Sequence, residues 1–590
     1  MRVDQTRKQR AIAKVDDYRA SRVLHRRAGF DDAIAFHQNL AWSQNAATFN
    51  IQEARGMQYG YIWSRSLTPS RTGHGQSEKN GQENSKTIAD HIRDGMVSLT
   101  EGNWVWAQYF NPVGFKTEMS RRACIIGAGP NGLAAAIVLS QAGLQVEVFE
   151  AELTPGGAAR TLELTLPGFL HDFGSAVYPL GVGSPFFSSL PLFDHGLQWI
   201  HSSAPVAHPF DDGTAFVLER DLTDAKSSLA EDGEAWVKLL QPFVEHWWDF
   251  ASDVLRPVPS FPKHPLLMAR FGAKAFRPAR AIADHFRSER TRALFAGLAA
   301  HSCLGLDEPL SGAFGMLMAI PAHAVGWPIP RGGAQSLTTA LFRHLEKLGG
   351  RIKTSSRIEN LSQLPNHDLF LCDVTPRQLL ALAGDRLTAK YRRSLQGFRY
   401  GPGAFKVDYA LNSPIPWRAS ECVRAATVHL GGSFEEIAAS EQAVRTGSIA
   451  DRPFVLLVQP TLYDSSRAPA GKHTAWAYCH VPNRSQEDML PKMEDQIERF
   501  APGFRDCVLA RRAFSPADLE GMDANLVGGD IGGGALDMGQ FLFRPTRRHY
   551  ATSARDIYLC SSSTPPGGGV HGMCGYHAAR KALATISSRL

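Results

Sequence analysis

The sequence predicts an α/β protein: a Rossmann-like nucleotide-binding domain assembled from separated segments, with an α+β domain inserted between them. Three observations predict this. A glycine-rich turn joins a short apolar strand to a helix within 122–142. Strand, turn and helix patterns return within 326–385 and 551–590. The stretches between them mix helical and strand-like spacing, which is typical of a second layer.

The domain boundaries follow these changes of pattern. A chain of 590 residues exceeds one compact core and corresponds to roughly three or four domain-sized units. We expect an N-terminal extension, three nucleotide-domain segments and two substrate-domain segments. They are, in chain order, the extension at 1–118, nucleotide segment 119–185, substrate segment 186–325, nucleotide segment 326–385, substrate segment 386–550 and nucleotide segment 551–590.

Residues 1–118 are poorly patterned and run into a polar, glycine-containing stretch at 72–86. We expect an appended, partly disordered extension, or translation from a start upstream of the functional one; an ordered extra domain stays open. Residues 1–30 hold nine Lys/Arg and three Asp. Their net charge of +6 equals the formal net charge of the whole chain. The remainder is therefore about neutral, and no nucleic-acid partner is predicted.

The composition also indicates the cellular compartment and whether a metal site is expected. No stretch approaches the roughly 18 consecutive apolar residues of a membrane span, and no apolar run near Met1 suggests a secretory signal. None of the eight cysteines forms a CxxC pair. This spacing argues against a dithiol redox centre and a zinc ribbon, so no metal site is predicted. Dispersed single thiols are typical of a reducing compartment, and we expect a cytoplasmic protein.

The glycine-rich turn has the features of a dinucleotide site. Its G-x-G-x-x-G motif is formed by Gly127, Gly129 and Gly132, with Pro130 and Asn131 between the last two. The glycines permit the tight turn, the approach of a pyrophosphate and close packing of helix on strand, while the helix N-terminus favours anions. Glu150 ends the second strand, where a carboxylate accepts hydrogen bonds from a ribose hydroxyl.

Two later stretches favour FAD over NAD as the cofactor. Gly157, in a second Gly-Gly turn, is followed by Arg160 and Thr161, which suits a second clamp on a pyrophosphate. The glycine-rich turn at 567–572 opens a helix and lets backbone approach a flat ligand, and that helix N-terminus stabilises the charge of a reduced flavin. One long cofactor that touches both ends of this region explains both features.

Four stretches then carry a family resemblance. They are GAGPNGLAAAIVLSQAG, GGAARTLELTLPGFLHDFGSA, WPIPRGGAQSLTTAL and SSSTPPGGGVHGMCGYHAA. Together they resemble the phytoene desaturase-related branch of the FAD-dependent amine-oxidase-like superfamily. The stretches 401–411, 466–482 and 525–545 are similar to its subgroup of pyridine nucleotide-disulphide oxidoreductase domain-containing protein 2. The resemblance covers roughly 120–590, and it specifies a family without specifying a substrate.

The resemblance implies positions for the FAD contacts. The residues implied for the ADP half and pyrophosphate are Gly127, Gly129, Gly132, Glu150, Gly157, Arg160 and Thr161, with Ile358, on the strand after Gly350, near the adenine. Those implied for the flavin region are Phe173, Gly174, Gly568, Gly569, Val570, His571, Gly572 and Met573. Many relatives have an acidic residue after the last strand, whereas this chain offers Ser562 or Thr564 for the ribityl chain. The flavin lysine of amine oxidases is not carried over to Lys406.

The implied activity is that of an FAD-dependent dehydrogenase or desaturase. It would transfer a hydride from a C–H bond of an apolar, polyene or lipid-like substrate to the flavin. A flavin amine oxidase, and a flavoprotein with a protein-binding or regulatory role, stay open as alternatives. Because there is no CxxC pair and no second complete G-x-G-x-x-G, disulphide reduction and a dedicated NADPH domain are not expected. Oxygen, a quinone or a protein stays open as the electron acceptor.

The sequence does not identify the catalytic acid or base. His571 could move a proton beside the flavin, but a helix-start histidine bonded to backbone is the favoured interpretation. Tyr178 could line the substrate path, with core packing favoured. The stretch 254–283 has six Lys/Arg and no acid, interleaved with Leu, Met and Phe. This composition fits peripheral contact with an anionic membrane and equally fits a solvated helix face.

Overall fold

The computed structural model describes residues 97–99, 103–105 and 121–587. The chain divides into two compact units, Met1–Glu118 and Met119–Leu590. In the first unit, β1 (Val97–Leu99) pairs antiparallel with β2 (Asn103–Val105). The expectations for the rest of 1–118 lie outside the described residues.

The second unit begins with a strand, a helix and a strand. Strand β3 is buried apart from its first residue, since its apolar side chains lie at the centre of a sheet. Pro130 starts α1, where its fixed φ suits the first helical turn. The elements are β3 (Arg122–Ile126), α1 (Pro130–Gln141), β4 (Gln145–Phe149), β5 (Thr161–Glu163), β6 (Leu170–Asp172), α2 (Pro179–Val182) and α3 (Pro185–Ser188).

A mainly helical segment follows. Its aromatic rings pack together, with the Phe250 and Phe271 centroids 4.9 Å apart, and join the largest apolar core. The strands are β7 (Trp199–Ile200), β8 (Ala204–Pro209) and β9 (Ala215–Leu218). The helices are α4 (Leu222–Ser228), α5 (Gly233–Val244), α6 (Trp247–Val254), α7 (Pro265–Ala275), α8 (Ala279–Ala283), α9 (Glu289–Ala300) and α10 (Ser311–Ala324).

The next segment returns to the nucleotide-type pattern. It contains β10 (Ile329–Pro330), α11 (Gln335–Lys347), β11 (Arg351–Lys353), β12 (Leu369–Cys372), α12 (Pro376–Ala383) and α13 (Ala389–Gln396). All four residues of β12 are buried, as expected for a strand covered on both faces.

The remaining chain supplies long antiparallel strands and then the last strand and helix. The elements are β13 (Gly403–Leu411), β14 (Ala425–Leu430), α14 (Phe434–Arg445), β15 (Val455–Val458), β16 (His473–Val481), α15 (Leu490–Phe500), α16 (Phe504–Cys507), β17 (Val508–Phe514), α17 (Pro516–Met522), α18 (Met538–Phe543), β18 (Ile557–Leu559) and α19 (Met573–Ser587). Every residue of β13 is buried, so this strand has neighbours on both faces and both edges.

Two sheets organise these elements. A parallel five-stranded sheet has the order β11-β4-β3-β12-β18, so its strands come from three separated stretches. A seven-stranded sheet has the order β17-β13-β16-β15-β14-β8-β9 and is antiparallel except where β14 meets β8. The predicted fold class, a Rossmann-like domain of discontinuous segments with an inserted α+β domain, is confirmed. We call the two parts the nucleotide layer and the covering layer.

Candidate functional site

The glycine motif lies at the carboxyl end of β3, the edge where parallel sheets bind ligands. Gly127 has φ +96°, a conformation that favours glycine. A Cβ on Gly132 would lie 2.1 Å from the Gly127 carbonyl oxygen. Any side chain at this position would therefore force the turn to open. The motif therefore holds the backbone N–H groups at the start of α1 close to the strand end.

Two carboxylates hold this turn. The Ala128 N–H donates to Glu150 Oε2 at 2.7 Å, and the Gly132 N–H donates to Asp373 Oδ2 at 2.8 Å. Burial, reinforced by the charges of Asp523 and Glu150, raises the pKa of Asp373 to about 8. Asp373 is therefore mostly protonated at neutral pH and does not repel an anion at the start of α1.

The second turn braces the first. A Cβ on Gly157 would lie 3.3 Å from the Gly129 Cα, so the two turns are in contact. Arg160 donates from Nε to the Gly157 carbonyl at 2.7 Å and from an Nη to the Met522 carbonyl at 2.8 Å. Thr161 donates to Asp172 Oδ1 at 2.9 Å. In this arrangement Arg160 and Thr161 hold backbone segments together.

A second glycine run, at 528–535, meets the last glycine-rich loop. A Cβ on Gly568 would lie 2.9 Å from the Gly532 carbonyl oxygen, and one on Gly533 would lie 2.5 Å from Ser562 Oγ. The buried Arg544 donates to the carbonyls of Gly533 at 2.7 Å and Ser562 at 3.0 Å. The sequence signal for this contact is the glycine density of the run, which has five glycines within 528–535.

These segments enclose one cavity of about 620 Å³. The predicted site residues that line it are Gly129, Pro130, Asn131, Gly157, Phe173, Gly174, Gly568, Gly569, Val570 and His571. Lining residues that sequence reasoning missed are Asp373, Asp523, Asn525 and the glycines 532–534, which come from the covering layer or from loops without a motif. The cavity thus joins the first, second and last glycine turns.

The other predicted residues lie behind this wall or away from it. Gly127, Gly132, Glu150, Arg160, Thr161, Gly572 and Met573 do not line the cavity but lie on the elements that shape it. Gly572 has φ +69°, and a Cβ there would lie 2.5 Å from the Phe187 ring. The placement of Ile358 on a strand is wrong, because β11 ends at Lys353 and the chain then bends; Ile358 packs against the apolar cluster around Phe149.

Several polar atoms of the wall point to a polar ligand. Within the described chain, Asn131 Oδ1, Asn525 Oδ1 and His571 Nε2 are buried without a hydrogen-bond partner. The Met573 N–H donates to His571 Nδ1 at 3.0 Å, the helix-start arrangement that the sequence favoured. Burial lowers the pKa of His571 to about 4, so the ring is neutral at physiological pH.

The cavity continues into an apolar chamber under the covering layer. Its apolar lining residues include Leu304, Leu310, Phe314, Leu317, Trp327 and Val458. Tyr178 also lines it, with its hydroxyl donating to the Ser175 carbonyl at 2.9 Å. Lys406 lines the same chamber, is buried and pairs with Asp408. The chamber therefore offers a large apolar surface with one buried ion pair.

The described residues contain neither a metal site nor a membrane-spanning helix. No group of three or more His, Cys, Asp or Glu side chains among them could hold a metal ion. No helix within the described ranges is long and apolar enough to cross a bilayer.

Comparison with known proteins agrees with this geometry. A NAD(P)-binding Rossmann-like domain matches residues 125–190. Mouse pyridine nucleotide-disulfide oxidoreductase domain-containing protein 2 is 27% identical over 545 residues, covering 78% of this chain and 92% of its own. The lycopene-forming phytoene desaturase of Pseudescherichia vulneris is 24% identical over 523 residues, covering 79% and 99%. These relatives confirm the resemblance predicted from the motifs.

Solved structures agree in fold. An oxidoreductase from Methanosarcina mazei aligns with a TM-score of 0.55 at 18% identity, over 78% of this chain and all of that one. Wild-type putrescine oxidase bound to putrescine aligns with a TM-score of 0.51 at 17% identity, over 80% and 100%. Both share the overall fold of this chain over most of its length.

Proposed function

We propose that this chain, a phytoene dehydrogenase-like oxidoreductase of the FAD type, binds FAD and removes a hydride from a C–H bond of an apolar substrate. The substrate class is polyene or lipid-like. The observation that carries the proposal is the single cavity that runs from the glycine turns into the apolar chamber.

The residues of the cavity fit FAD. The backbone around Gly129 and Asn131 offers N–H groups at the start of α1, where a pyrophosphate binds well. Glu150 lies behind this wall, directly after β4, at the chain position expected to bind ribose. Asn131 Oδ1 and Asn525 Oδ1 supply unsatisfied acceptors within the described wall, and Ser562 lines it where a ribityl chain would lie.

The last glycine loop would hold the flavin end. Gly568 and Gly569 keep the backbone free of side chains there, and the neutral His571 presents Nε2 without a charge. Bound FAD would supply the hydride acceptor for the reaction. The chain's own contribution is to orient an apolar substrate in the chamber and to exclude water, because the lining around Phe314 and Trp327 is apolar.

The cofactor and the reaction can be tested on one preparation. The purified chain should be yellow, and mass analysis of the released ligand should give FAD. Anaerobic addition of polyenes or lipids should bleach the flavin absorbance, with later addition of oxygen or a quinone identifying the acceptor. Bleaching by amines alone would favour the amine oxidase, and a colourless chain that cannot be reconstituted with FAD would refute the proposal.

We further propose that the segment 254–283 contacts an anionic membrane, through which an apolar substrate enters. Phe261 is 85% exposed and Leu266 is 87% exposed, unusual values for such large apolar side chains. Residues of the same segment, including Pro262 and Phe271, line the cavity, so the segment lies next to it. The segment has six cations and no acid. Arg256 pairs with Asp253, and Arg280 pairs with Asp307 and Glu435, so the other four cations are the ones that complement an anionic lipid surface.

Liposome flotation tests this contact. The double substitution Phe261→Ser with Leu266→Ser should weaken binding to phosphatidylserine-containing vesicles by at least about tenfold, since each side chain gives up apolar burial. Leu153→Ser is the matched control, because Leu153 is 80% exposed but lies outside the segment. Equal binding of all three proteins, or no binding of the parent at low salt, would contradict the proposal.

A further inference from the structure

A cysteine, a histidine and a glutamate form a buried chain of contacts beside the cavity. Cys303 lies in the turn after α9 and lines the cavity. Its Sγ is 3.2 Å from His480 Nε2, and His480 Nδ1 is 2.9 Å from Glu441 Oε2. These three residues come from a loop, from β16 and from α14, so the fold alone brings them together.

The backbone of Cys303 is strained. Its φ is +56°, in the left-handed region that side chains other than glycine rarely adopt. Non-glycine residues in this region cost free energy and persist where the surrounding structure demands them, often at functional sites. In this backbone conformation, Cys303 both contacts His480 through Sγ and lines the cavity.

The charges in this group favour the protonated form of the His480 ring. Burial would disfavour a charged His480, yet Cys303 and Glu441 together raise its pKa well above the usual value. Both His480 and Glu441 have side chains only 1% exposed, so the contact is shielded from water. His301 and Tyr478 also face His480, and the pKa of His301 is lowered to about 3 by burial and by His480.

We propose that Cys303 is a nucleophile that captures an apolar aldehyde in the chamber. The Sγ atom forms a bond to the carbonyl carbon, and the π electrons of the C=O bond move to its oxygen. The Nε2 proton of His480 passes to that oxygen and leaves a neutral hemithioacetal. Glu441 is a positioning residue that holds the His480 ring and its charge. The step needs no oxidant, so it stands apart from the proposed flavin chemistry.

The surroundings determine the ligand class. Leu304, Phe314 and Trp327 line the same cavity and suit an alkyl or polyene tail. Tyr478 lines the cavity as well, and burial, followed by the charges of Cys303 and Glu441, raises its pKa far above the usual value, so its hydroxyl stays protonated. By contrast, Cys507 and Cys574 hydrogen-bond to hydroxyl and carbonyl oxygens.

The first test uses the full-length protein, anaerobically, with [1-13C]decanal. A tetrahedral carbon signal should replace the carbonyl signal, and decanal should protect Cys303 from iodoacetamide, as measured by peptide mass spectrometry. Decanol has the same tail without a carbonyl and should protect less. If decanol protected Cys303 as well as decanal does, and decanal gave no tetrahedral signal, Cys303 would only line the cavity and the proposal would be overturned.

Variants separate chemistry from folding. Cys303→Ser should abolish the tetrahedral signal, while Cys507→Ser, the matched control outside the cavity, should keep it. Without aldehyde, Cys303 of the parent should react at least about tenfold faster than Cys507 at pH 7. This comparison lies within one folded chain, so it stands even if Cys303→Ser misfolds. Equal rates would overturn the proposal.

The role of Glu441 has its own measurement. Glu441→Gln should move the pH titration profile of the His480 imidazole, followed by NMR, downward by about one pH unit, because the imidazolium loses its counter-charge. Glu441→Asp should restore part of the parent profile. A profile unchanged in Glu441→Gln would show that Glu441 does not support the His480 charge.

Discussion

The nucleotide layer and the covering layer build their parts of the cavity in opposite ways. In the nucleotide layer, glycines such as Gly127 and Gly132 bring backbone together and leave N–H groups for a ligand. In the covering layer, oppositely charged side chains are buried in pairs, as Lys406 is with Asp408, and Arg467 of this layer pairs at 2.8 Å with Asp172 of β6. Close main-chain packing therefore shapes the first glycine turn, whereas the covering layer also places the lysine of a buried ion pair in the cavity wall.

This difference determines how each layer tolerates change. A backbone site fails when any atom is added to it, because close-packed main chain has nowhere to move. A buried ion pair fails when one partner is removed, because the remaining charge stays in an apolar medium. Three experiments sharpen this contrast, beginning with the largest expected effect.

Gly132→Ala should prevent FAD binding and destabilise the protein by at least about 4 kcal/mol. The added Cβ would lie 2.1 Å from the Gly127 carbonyl oxygen, so the turn must open. Gly521→Ala is the matched control, because Gly521 lies in α17 with nothing within 4 Å of its Cβ position. Urea denaturation and flavin fluorescence report both quantities, and a Gly132→Ala protein with parental FAD affinity would contradict the backbone argument.

Lys406→Met should destabilise the protein by about 3 kcal/mol, since Asp408 is left buried without its cation. The double variant Lys406→Met with Asp408→Leu should recover most of this loss. Arg392→Met breaks an exposed pair with Asp385 at 2.9 Å and should cost less than about 1 kcal/mol. Chemical denaturation compares all three, and equal costs for the buried and exposed pairs would remove the proposed distinction.

Asp373→Asn tests the carboxylic acid within the backbone site. Because the folded state binds this proton more tightly, its contribution to stability is present below about pH 4 and is lost as the pH rises through about 8. FAD affinity should weaken above pH 8 in the parent, by up to about tenfold per pH unit, as a charge develops beside the start of α1.

Asparagine keeps an acceptor for the Gly132 N–H without the titration. Both the FAD dissociation constant and the unfolding midpoint of Asp373→Asn should therefore depend less on pH between 6 and 9. Fluorescence titration and thermal melts at matched pH measure them. A parent and variant with parallel pH profiles would show that Asp373 does not control this region.

The contrast also explains what the sequence could predict. The turn at Gly127–Gly132 and the last glycine loop are visible in the sequence as glycines at fixed spacings, because each turn needs glycine at particular positions. Strand, helix and strand around them follow from apolar periodicity. The discontinuous nucleotide layer was therefore predictable from single stretches of chain.

The side-chain sites were not predictable in this way. Cys303, His480 and Glu441 lie far apart in the sequence, and no local pattern links them. Asp373 follows an ordinary buried strand, and only the folded sheet brings it to the start of α1. Ile358 was misplaced because a run of alternating residues after Gly350 resembled a longer strand than the three residues of β11.

The contact between α1 and α19 has a consequence for biosynthesis. A Cβ on Gly575 would lie 1.8 Å from the Asn131 carbonyl oxygen, so these two helices touch main chain to main chain. A ribosome makes α1 well before β18 and α19, which add the last strand of the parallel sheet and the helix packed on α1. The first glycine turn must therefore wait for the whole intervening chain to be synthesised before it gains this neighbour, which exposes the incomplete sheet to chaperones.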